Sequence, residues 1–426
     1  MTKRSFFGLT RPRIQYLPIA GKMAAPAALA KPAGVTLLIP CPVGDIDKNL
    51  VKPGDKVKTG QKIALAAAPD AYGIASISGT VAAVERFPGE AGREYTAVTI
   101  TAAGDEAADD TFAARCEPTL ENAAAFLACV PGAPDFKPLM DAERPIDTII
   151  VSAMDEDLLV LTAQYTLNTR MEEIKAGISF LKAISGIGNI VIATPRDALQ
   201  GYGEIGASVM YMDTAYPSGF PILVAQKVIG KEIPLGKSFQ DLGVCFFSAE
   251  AVASIGRAFT QKRIPLKKTI TFIDKQGNRS LVSARIGTPI ADLLKAHNVS
   301  LADKDRIILG GPMTGHSVFS AQYPVQPSTD AVLLQDKADI SLTSDYPCIN
   351  CGDCVRVCPA RIQVSMLVRF LEAGQYEEAR DGYDLDACLE CGLCSYVCVS
   401  KIPIFQYIRL AKHELGRMTT EEATDE

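Results

Sequence analysis

Eight of the chain's twelve cysteines fall into two runs near its end. The first reads Cys348-Ile-Asn-Cys351-Gly-Asp-Cys354-Val-Arg-Val-Cys358-Pro359, and the second Cys388-Leu-Glu-Cys391-Gly-Leu-Cys394-Ser-Tyr-Val-Cys398. Both have the spacing C-x2-C-x2-C-x3-C, and the first carries the proline that closes such runs in bacterial two-cluster proteins. An iron–sulfur cubane needs four thiolates at tetrahedral corners; one tight loop supplies three, and the fourth comes from elsewhere. In two-cluster proteins the fourth cysteine of each run serves the other cluster. The spacing therefore predicts one [4Fe-4S] centre on Cys348, Cys351, Cys354 and Cys398. A second is expected on Cys388, Cys391, Cys394 and Cys358.

Zinc is the first rival, because C-x2-C pairs also build zinc ribbons. A zinc site uses two pairs and has no use for a third cysteine at x2 and a fourth at x3, found twice. A disulfide framework fits less well, since eight thiols crowd into two short loops of an otherwise cysteine-poor chain. Cys41, Cys116, Cys129 and Cys245 stand alone and read as buried or idle thiols. The three histidines are scattered and no C-x-x-C-H occurs, so covalent haem is not expected. Cluster-ligating thiolates favour a reducing, intracellular setting.

The elements that would position these runs come from a chain of 426 residues, enough for two to four domains. It is 48% apolar and 22% charged with a net charge of −6, a balance that gives no reason to expect nucleic acid as a partner. Neither a secretory signal, a membrane span nor a lipidation motif is read from it, so work at a membrane would go through partners.

Residues 1–33, rich in Pro, Ala and basic residues, read as an irregular lead-in. Short strands follow at Val35–Ile39, Asp55–Val57, Gln61–Leu65, Gly79–Val84 and Thr96–Ile100, separated by turn chemistry such as Lys52-Pro53-Gly54-Asp55. They predict a small β-sandwich or barrel. The words Val51-Lys-Pro-Gly-Asp-Lys-Val-Lys-Thr-Gly-Gln61 and Ser76-Ile-Ser-Gly-Thr-Val81 resemble a biotinyl/lipoyl-like sandwich hybrid. The hairpin tip, Ala66–Ile74, lacks the lysine that a swinging cofactor would need, so the unit is read as structural.

Residues 104–120, acidic and Ala-rich, read as a solvated link. Strand-like Thr148–Ser152, helical Met171–Ala183, strand-like Ile190–Ala193, a short helix at Arg196–Leu199 and strand-like Val209–Met212 then predict an open, mostly parallel sheet. Gly201-Tyr-Gly-Glu-Ile-Gly206 matches G-x-G-x-x-G, but helix-like Asp197–Gln200 precedes it and a strand follows. A dinucleotide loop needs the reverse order, so a turn is expected.

Residues 266–315 predict a β-rich unit with a hairpin, Thr269–Ile273 and Ser280–Arg285 around Lys275–Asn278, and a helix over Ile290–His297. Thr288-Pro289 reads as the start of that helix, Thr as cap and Pro first inside. Strand-like Arg306–Leu309 and the glycine loop Gly310-Gly-Pro-Met-Thr-Gly315 follow, a β-grasp-like arrangement. Between and after the cysteine runs, Val364–Gly374 and Ile402–Leu415 carry helical apolar spacing, expected to shield the clusters; Thr419–Glu426 reads as frayed.

The order of these pieces resembles the C subunit of the Rnf electron-transport complex, an ion-translocating membrane enzyme, over roughly residues 30–415. The words that carry it are Val51–Gln61, Tyr216-Pro-Ser-Gly219 with Ile229-Gly-Lys-Glu-Ile-Pro234, Ile286-Gly-Thr-Pro289, Gly310–Gly315 and both cysteine runs. The resemblance implies four units. They are an N-terminal barrel-sandwich hybrid domain with its lead-in (1–103), a central α/β domain of the NADH/FMN type (120–262), a β-grasp soluble-ligand-binding module (263–335) and a helical two-cluster ferredoxin domain (340–418). It also implies a peripheral subunit on the cytoplasmic face of the cell inner membrane, with FMN, an NADH site and two [4Fe-4S] clusters.

Two words depart from the family. Its flavin loop, G-x-G-G-A-G-F-P-T, corresponds to Phe126-Leu-Ala-Cys-Val-Pro-Gly-Ala-Pro-Asp-Phe136, where one glycine remains. Side chains there occupy space that backbone N–H groups would use to approach flavin and phosphate. The word N-x-x-E-C-E-P falls on Val151-Ser-Ala-Met-Asp-Glu-Asp157, which keeps acidic residues and loses the Cys and Pro. The expectation is a central domain without FMN or NADH. The chain then acts as a redox relay between a ferredoxin or cytochrome partner and membrane subunits. The alternatives are a flavin-dependent NADH oxidoreductase subunit feeding the clusters, and an assembly factor stapled by them.

Overall fold

The computed structural model describes residues 14–17, 24–41, 44, 46–47, 50–66, 71–89, 94–196, 198, 204–344 and 346–425. Parts of five sequence readings lie outside the described residues: the lead-in at 1–13 and 18–23, the hairpin tip at 67–70, the helix read over Arg196–Leu199 at 197 and 199, the first half of the Gly201–Gly206 word, and the tail at 426.

Gly34–Ile39, Glu94–Ala102, Gly79–Pro88 and Lys56–Val57 form an antiparallel sheet in that order, beside a short hairpin of Lys62–Ala64 and Tyr72–Ile74. Strict alternation along Gly34–Ile39 turns Val35, Leu37 and Ile39 into one core with Ile63, Val98 and Ile100. The lead-in contributes pairing that its composition does not announce. Ala27–Ala28 runs parallel to Val282 and Ser283, at the edge of a different sheet. The expected link at 104–120 is also partly structural: Phe112 is buried against Phe126 and Phe259.

The central sheet is wholly parallel, ordered Ser208–Met212, Asn189–Pro195, Thr148–Ser152, Val244–Ser248. Helices cover one face: Ile149, Val151, Ile190 and Phe247 share a core with Met171–Ser185 and Ala249–Gln261. The other face turns Ile150, Val244 and Met212 toward helix Pro221–Ile229 and toward Cys391 and Leu393.

A six-stranded mixed sheet follows, ordered Ala27–Ala28, Arg279–Arg285, Lys267–Ile273, Ala331–Gln335, Arg306–Leu309, His316–Val318, with helix Ile290–Ala296 on its core. That helix starts differently from the expectation. Pro289, extended, is itself the N-cap, and the buried Thr288 hydroxyl has no hydrogen-bond partner. Docking explains the difference. Gly287 N donates to Val325 O at 2.7 Å, and Thr36 N donates to Gly287 O at 2.9 Å, joining this sheet to the first. Gly287 has φ +89°, and a Cβ there would stand 2.9 Å from Val35 Cβ. Gly287→Ala is therefore expected to cost about 2 kcal/mol or more, from left-handed strain plus overpacking. Chemical denaturation checks it, and an unchanged midpoint would show that this joint yields freely.

The cysteine-rich unit is helical: Asp353–Val357, Val364–Glu372, Tyr376–Tyr383, Leu393–Val397 and Ile404–Asp425. The last helix continues through the tail read as frayed.

Candidate iron–sulfur site

Each cysteine run folds as the same local device. Asn350 and Glu390 have φ of 56° and 54°, Gly352 and Gly392 74° and 73°, and Arg361 and Lys401 58° and 56°. The first four wrap each loop tightly before a short helix, so three closely spaced thiols turn to one side, and Arg361 and Lys401 turn the chain again after it. The fourth cysteine, Cys358 or Cys398, is the extended residue that ends that helix.

The structure joins the thiols in two groups. Cys348, Cys351, Cys354 and Cys398 ring a small cavity, lined also by Val368 and Ile404. Cys358, Cys388, Cys391 and Cys394 ring another, lined also by Leu367, Phe405 and Ile408. Each cavity thus mixes the two runs, three thiols from one and one from the other. Among the described residues, no three His, Cys, Asp or Glu side chains converge as a single-ion site requires. The thiols surround space instead. Burial pushes Cys354 and Cys391 up to about 11 and raises Cys394 further, so metal loading must displace protons from these thiols.

The cavities differ in setting. The one ringed by Cys388, Cys391 and Cys394 faces the central domain. Tyr216 donates its hydroxyl to Cys391 O at 2.7 Å, and burial keeps that phenol protonated by pushing it up. A Cβ on Gly392 would meet Met313 O at 2.5 Å, so the glycine lets the 310–315 loop close on the cysteine loop. Asp157 holds that loop in turn, accepting from Met313 N, Thr314 N and the Thr314 hydroxyl. From the far side Lys412 donates to Cys388 O at 2.8 Å and pairs with Glu390. The other cavity is at the periphery, where Cys351 is exposed. Spacing reveals none of the Tyr216, Met313 and Lys412 contacts, because the partners lie far apart in sequence. The only signal was that the words 216–219 and 310–315 stood out from their surroundings.

The central domain has a crevice at the carboxyl ends of Thr148–Ser152 and Val244–Ser248, where the strand order reverses. Asp155, Glu156, Glu250 and Asp330 line it. Lys268, wholly buried, is bonded to Glu250 and Asp330; burial works against its charge, but the two carboxylates hold it above its ordinary value. Residues 131–132 lie over the first turn of helix Ala249–Gln261. Ser254 donates to Pro131 O at 2.9 Å, and a Cβ on Gly132 would stand 2.3 Å from Ala251 N.

Burial pushes Asp155 up to about 7, although Ala163 N and Gln164 Nε2 donate to it. The folded state then binds more protons than the unfolded chain between the ordinary carboxylate range and about 7, so stability falls as pH rises through that window. Asp155→Asn, with Gln164 turned over to accept, is expected to flatten this slope between pH 5 and 7. Denaturation midpoints against pH measure it, and parallel wild-type and variant profiles would refute it.

The fold and the cysteine loops together define an iron–sulfur protein. Residues 347–402 match the 4Fe-4S dicluster domain family. Residues 22–105 match the RnfC barrel sandwich hybrid domain, which makes the chain RnfC-like. It is 31% identical over 303 residues to the C subunit of the ion-translocating oxidoreductase complex of Edwardsiella ictaluri, covering 68% of this chain and 38% of that relative. The C subunits of the same complex from Yersinia enterocolitica and Buchnera aphidicola are 28% and 25% identical over 59% of this chain, covering 37% and 56% of their own lengths. The chain therefore spans only part of these relatives. An NAD+-reducing [NiFe]-hydrogenase structure is 12% identical at a TM-score of 0.42, covering 68% of this chain and 62% of its own. Among the described residues no helix is long and apolar enough to cross a membrane.

Proposed function

We propose that the chain is a peripheral electron-transfer subunit of an Rnf-type ion-translocating oxidoreductase, on the cytoplasmic face of the inner membrane. It relays single electrons through two [4Fe-4S] clusters between a ferredoxin or cytochrome partner and membrane subunits. The observation that carries the reading is the ring of four thiols, drawn from both runs, around each of two cavities. Cys348, Cys351, Cys354 and Cys398 would hold one cluster, and Cys388, Cys391, Cys394 and Cys358 the other. When bound, each cluster supplies one-electron chemistry without making or breaking bonds to substrate. The chain's residues fix the thiol positions, exclude water with Leu367, Phe405 and Ile408, and anchor one loop through Tyr216 and Lys412.

Residues 1–103, 120–262, 263–335 and 340–418 form the barrel-sandwich, central α/β, β-grasp-like and two-cluster units of this subunit. The central unit does not fit FMN or NADH. The crevice offers phosphate carboxyl groups and no free cation, since the nearby Lys268 is committed to Glu250 and Asp330, and the helix end that would receive a pyrophosphate is covered by residues 131–132. This weighs against the flavin-dependent NADH oxidoreductase alternative. The test is anaerobic purification with iron, sulfide and flavin quantified together, then NADH titration followed by EPR. About eight irons per chain, no flavin and no NADH-reducible signal are expected. Bound flavin with NADH-reducible clusters would replace the relay by the oxidoreductase.

A further inference from the structure

The two cysteine runs and the helices that follow them repeat one another, so their differences can be read position by position. With Cys388 set on Cys348, Ile408 falls on Val368 and Phe405 on Ser365, and each of these four lines its own cavity. The charges do not correspond in the same way. Arg409 falls on Arg369, but Lys412 falls on Glu372, which is exposed, and Glu390 falls on Asn350.

Lys412 is bonded into the inner loop. Its Nζ donates to Cys388 O at 2.8 Å and meets Glu390 Oε1 at 3.0 Å, with its side chain 25% exposed. Arg409 lies 5.5 Å from the centre of the Phe405 ring and 3.9 Å from the other carboxylate oxygen of Glu390. Two cations on the last helix therefore meet one carboxylate beside Cys388. The ring is otherwise enclosed: Tyr216 donates to Cys391 O, Met313 abuts Gly392, and Leu393 is only 5% exposed. An electron added to a group held by four thiolates adds negative charge, and enclosure away from water opposes that addition. A half-buried cation bonded to the loop favours it.

We propose that Lys412 sets the reduction potential of the group held by Cys358, Cys388, Cys391 and Cys394. It raises that potential against the burial of the ring, and Glu390 tempers the effect; the inference rests on the two-cluster relay reading. One electron is gained there as one is lost at the group held by Cys348, Cys351, Cys354 and Cys398, and no bond forms or breaks. The outer ring has an acid, Glu372, where the inner has this lysine.

The test is a redox titration of the full, cluster-loaded chain followed by EPR, the inner signal being the one that Cys391→Ala removes. Lys412→Gln, which keeps a donor for Cys388 O, is expected to lower the inner midpoint. At the wild-type midpoint its reduced-to-oxidised ratio then falls about three- to tenfold. Glu390→Gln, which keeps an acceptor for Lys412, is expected to raise that ratio, and Lys412→Arg to hold it near the wild-type value. The outer midpoint is expected to stay unchanged in all three. A merely structural role would disturb the loop alike in both Gln variants, whereas a charge moves the midpoint in opposite directions. Unchanged inner midpoints, shifts of one sign in both Gln variants, or equal shifts in both signals overturn the role of Lys412 and leave the relay intact. If Lys412→Gln does not retain its inner iron, Glu390→Gln decides alone, and the absence of an upward shift overturns the proposal. A wild-type chain that binds fewer than about eight irons overturns the two-cluster reading, and this inference falls with it.

Discussion

Replacing Cys398 by Ala is expected to abolish the cluster signal that Cys348→Ala, Cys351→Ala and Cys354→Ala abolish, although Cys398 belongs to the other run. Cys358→Ala is expected to behave as a member of the Cys388, Cys391 and Cys394 set. The reason is the exchange of fourth thiols between cavities: Cys398 ends the helix Leu393–Val397 yet lines the cavity of the first run beside Ser400 and Ile402. Iron should fall from about eight to about four per chain in each variant, with one EPR signal lost and the other kept. Because ligand binding is linked to folding, the emptied half should also unfold earlier in denaturant. If Cys398→Ala instead matched Cys391→Ala, each run would hold its own cluster and the crossed arrangement would be wrong.

Within each loop, the grouping of three thiols is a local matter that spacing can express. Three cysteines at x2 spacing, with left-handed turns at Asn350 and Gly352, can wrap only one way, and sequence carries that information directly. The first sheet was legible for a related reason, since the period-two burial along Gly34–Ile39 is written into side-chain types. Ala27–Ala28 carried no such signal. It joins an edge through backbone groups alone, and its side chains are exposed. Phe112 was the one hint that the acidic, Ala-rich stretch is not merely a link, and a single aromatic is easily outvoted by composition. Thr288 was misread because capping preference is a local rule, whereas Gly287 and Thr288 are held by Val325 within their unit and Gly287 by Thr36 across units.

The same distinction separates the cavities from what positions them. Tyr216 and Cys391 are 175 residues apart, and no periodicity links a phenol to a carbonyl at that distance. The acidic crevice was half legible: Asp155 and Glu156 stood out as survivors of a family word. Asp330 and the buried Lys268 could be added only once the sheets were packed together. Asp157, the third acid of that word, turns out to be bonded elsewhere, to the 310–315 loop that abuts Gly392.

That makes Asp157 the position outside the cysteines where one substitution should do most damage. The residue is 4% exposed, and its carboxylate accepts from Leu158 N at 2.6 Å as well as from the 313–314 loop, with Thr314 N and Oγ1 both at 2.7 Å. Asp157→Ala removes the acceptor and strands several half-buried donors, each costing up to about 1–3 kcal/mol when unsatisfied. A total of about 3–5 kcal/mol is expected, allowing for partial rescue by water. The damage should spread in one direction. Met313, no longer held, stops bracing Gly392, and the loop carrying Cys391 loses its wall. The cluster held by Cys388, Cys391, Cys394 and Cys358 should therefore become labile to chelator before the peripheral one does. Asp157→Asn retains one accepting oxygen and should fall between wild type and Ala in both stability and chelator resistance. Time courses of iron release with EPR would decide the matter: simultaneous loss of both clusters would mean that Asp157 stabilises the fold at large and does not brace this loop.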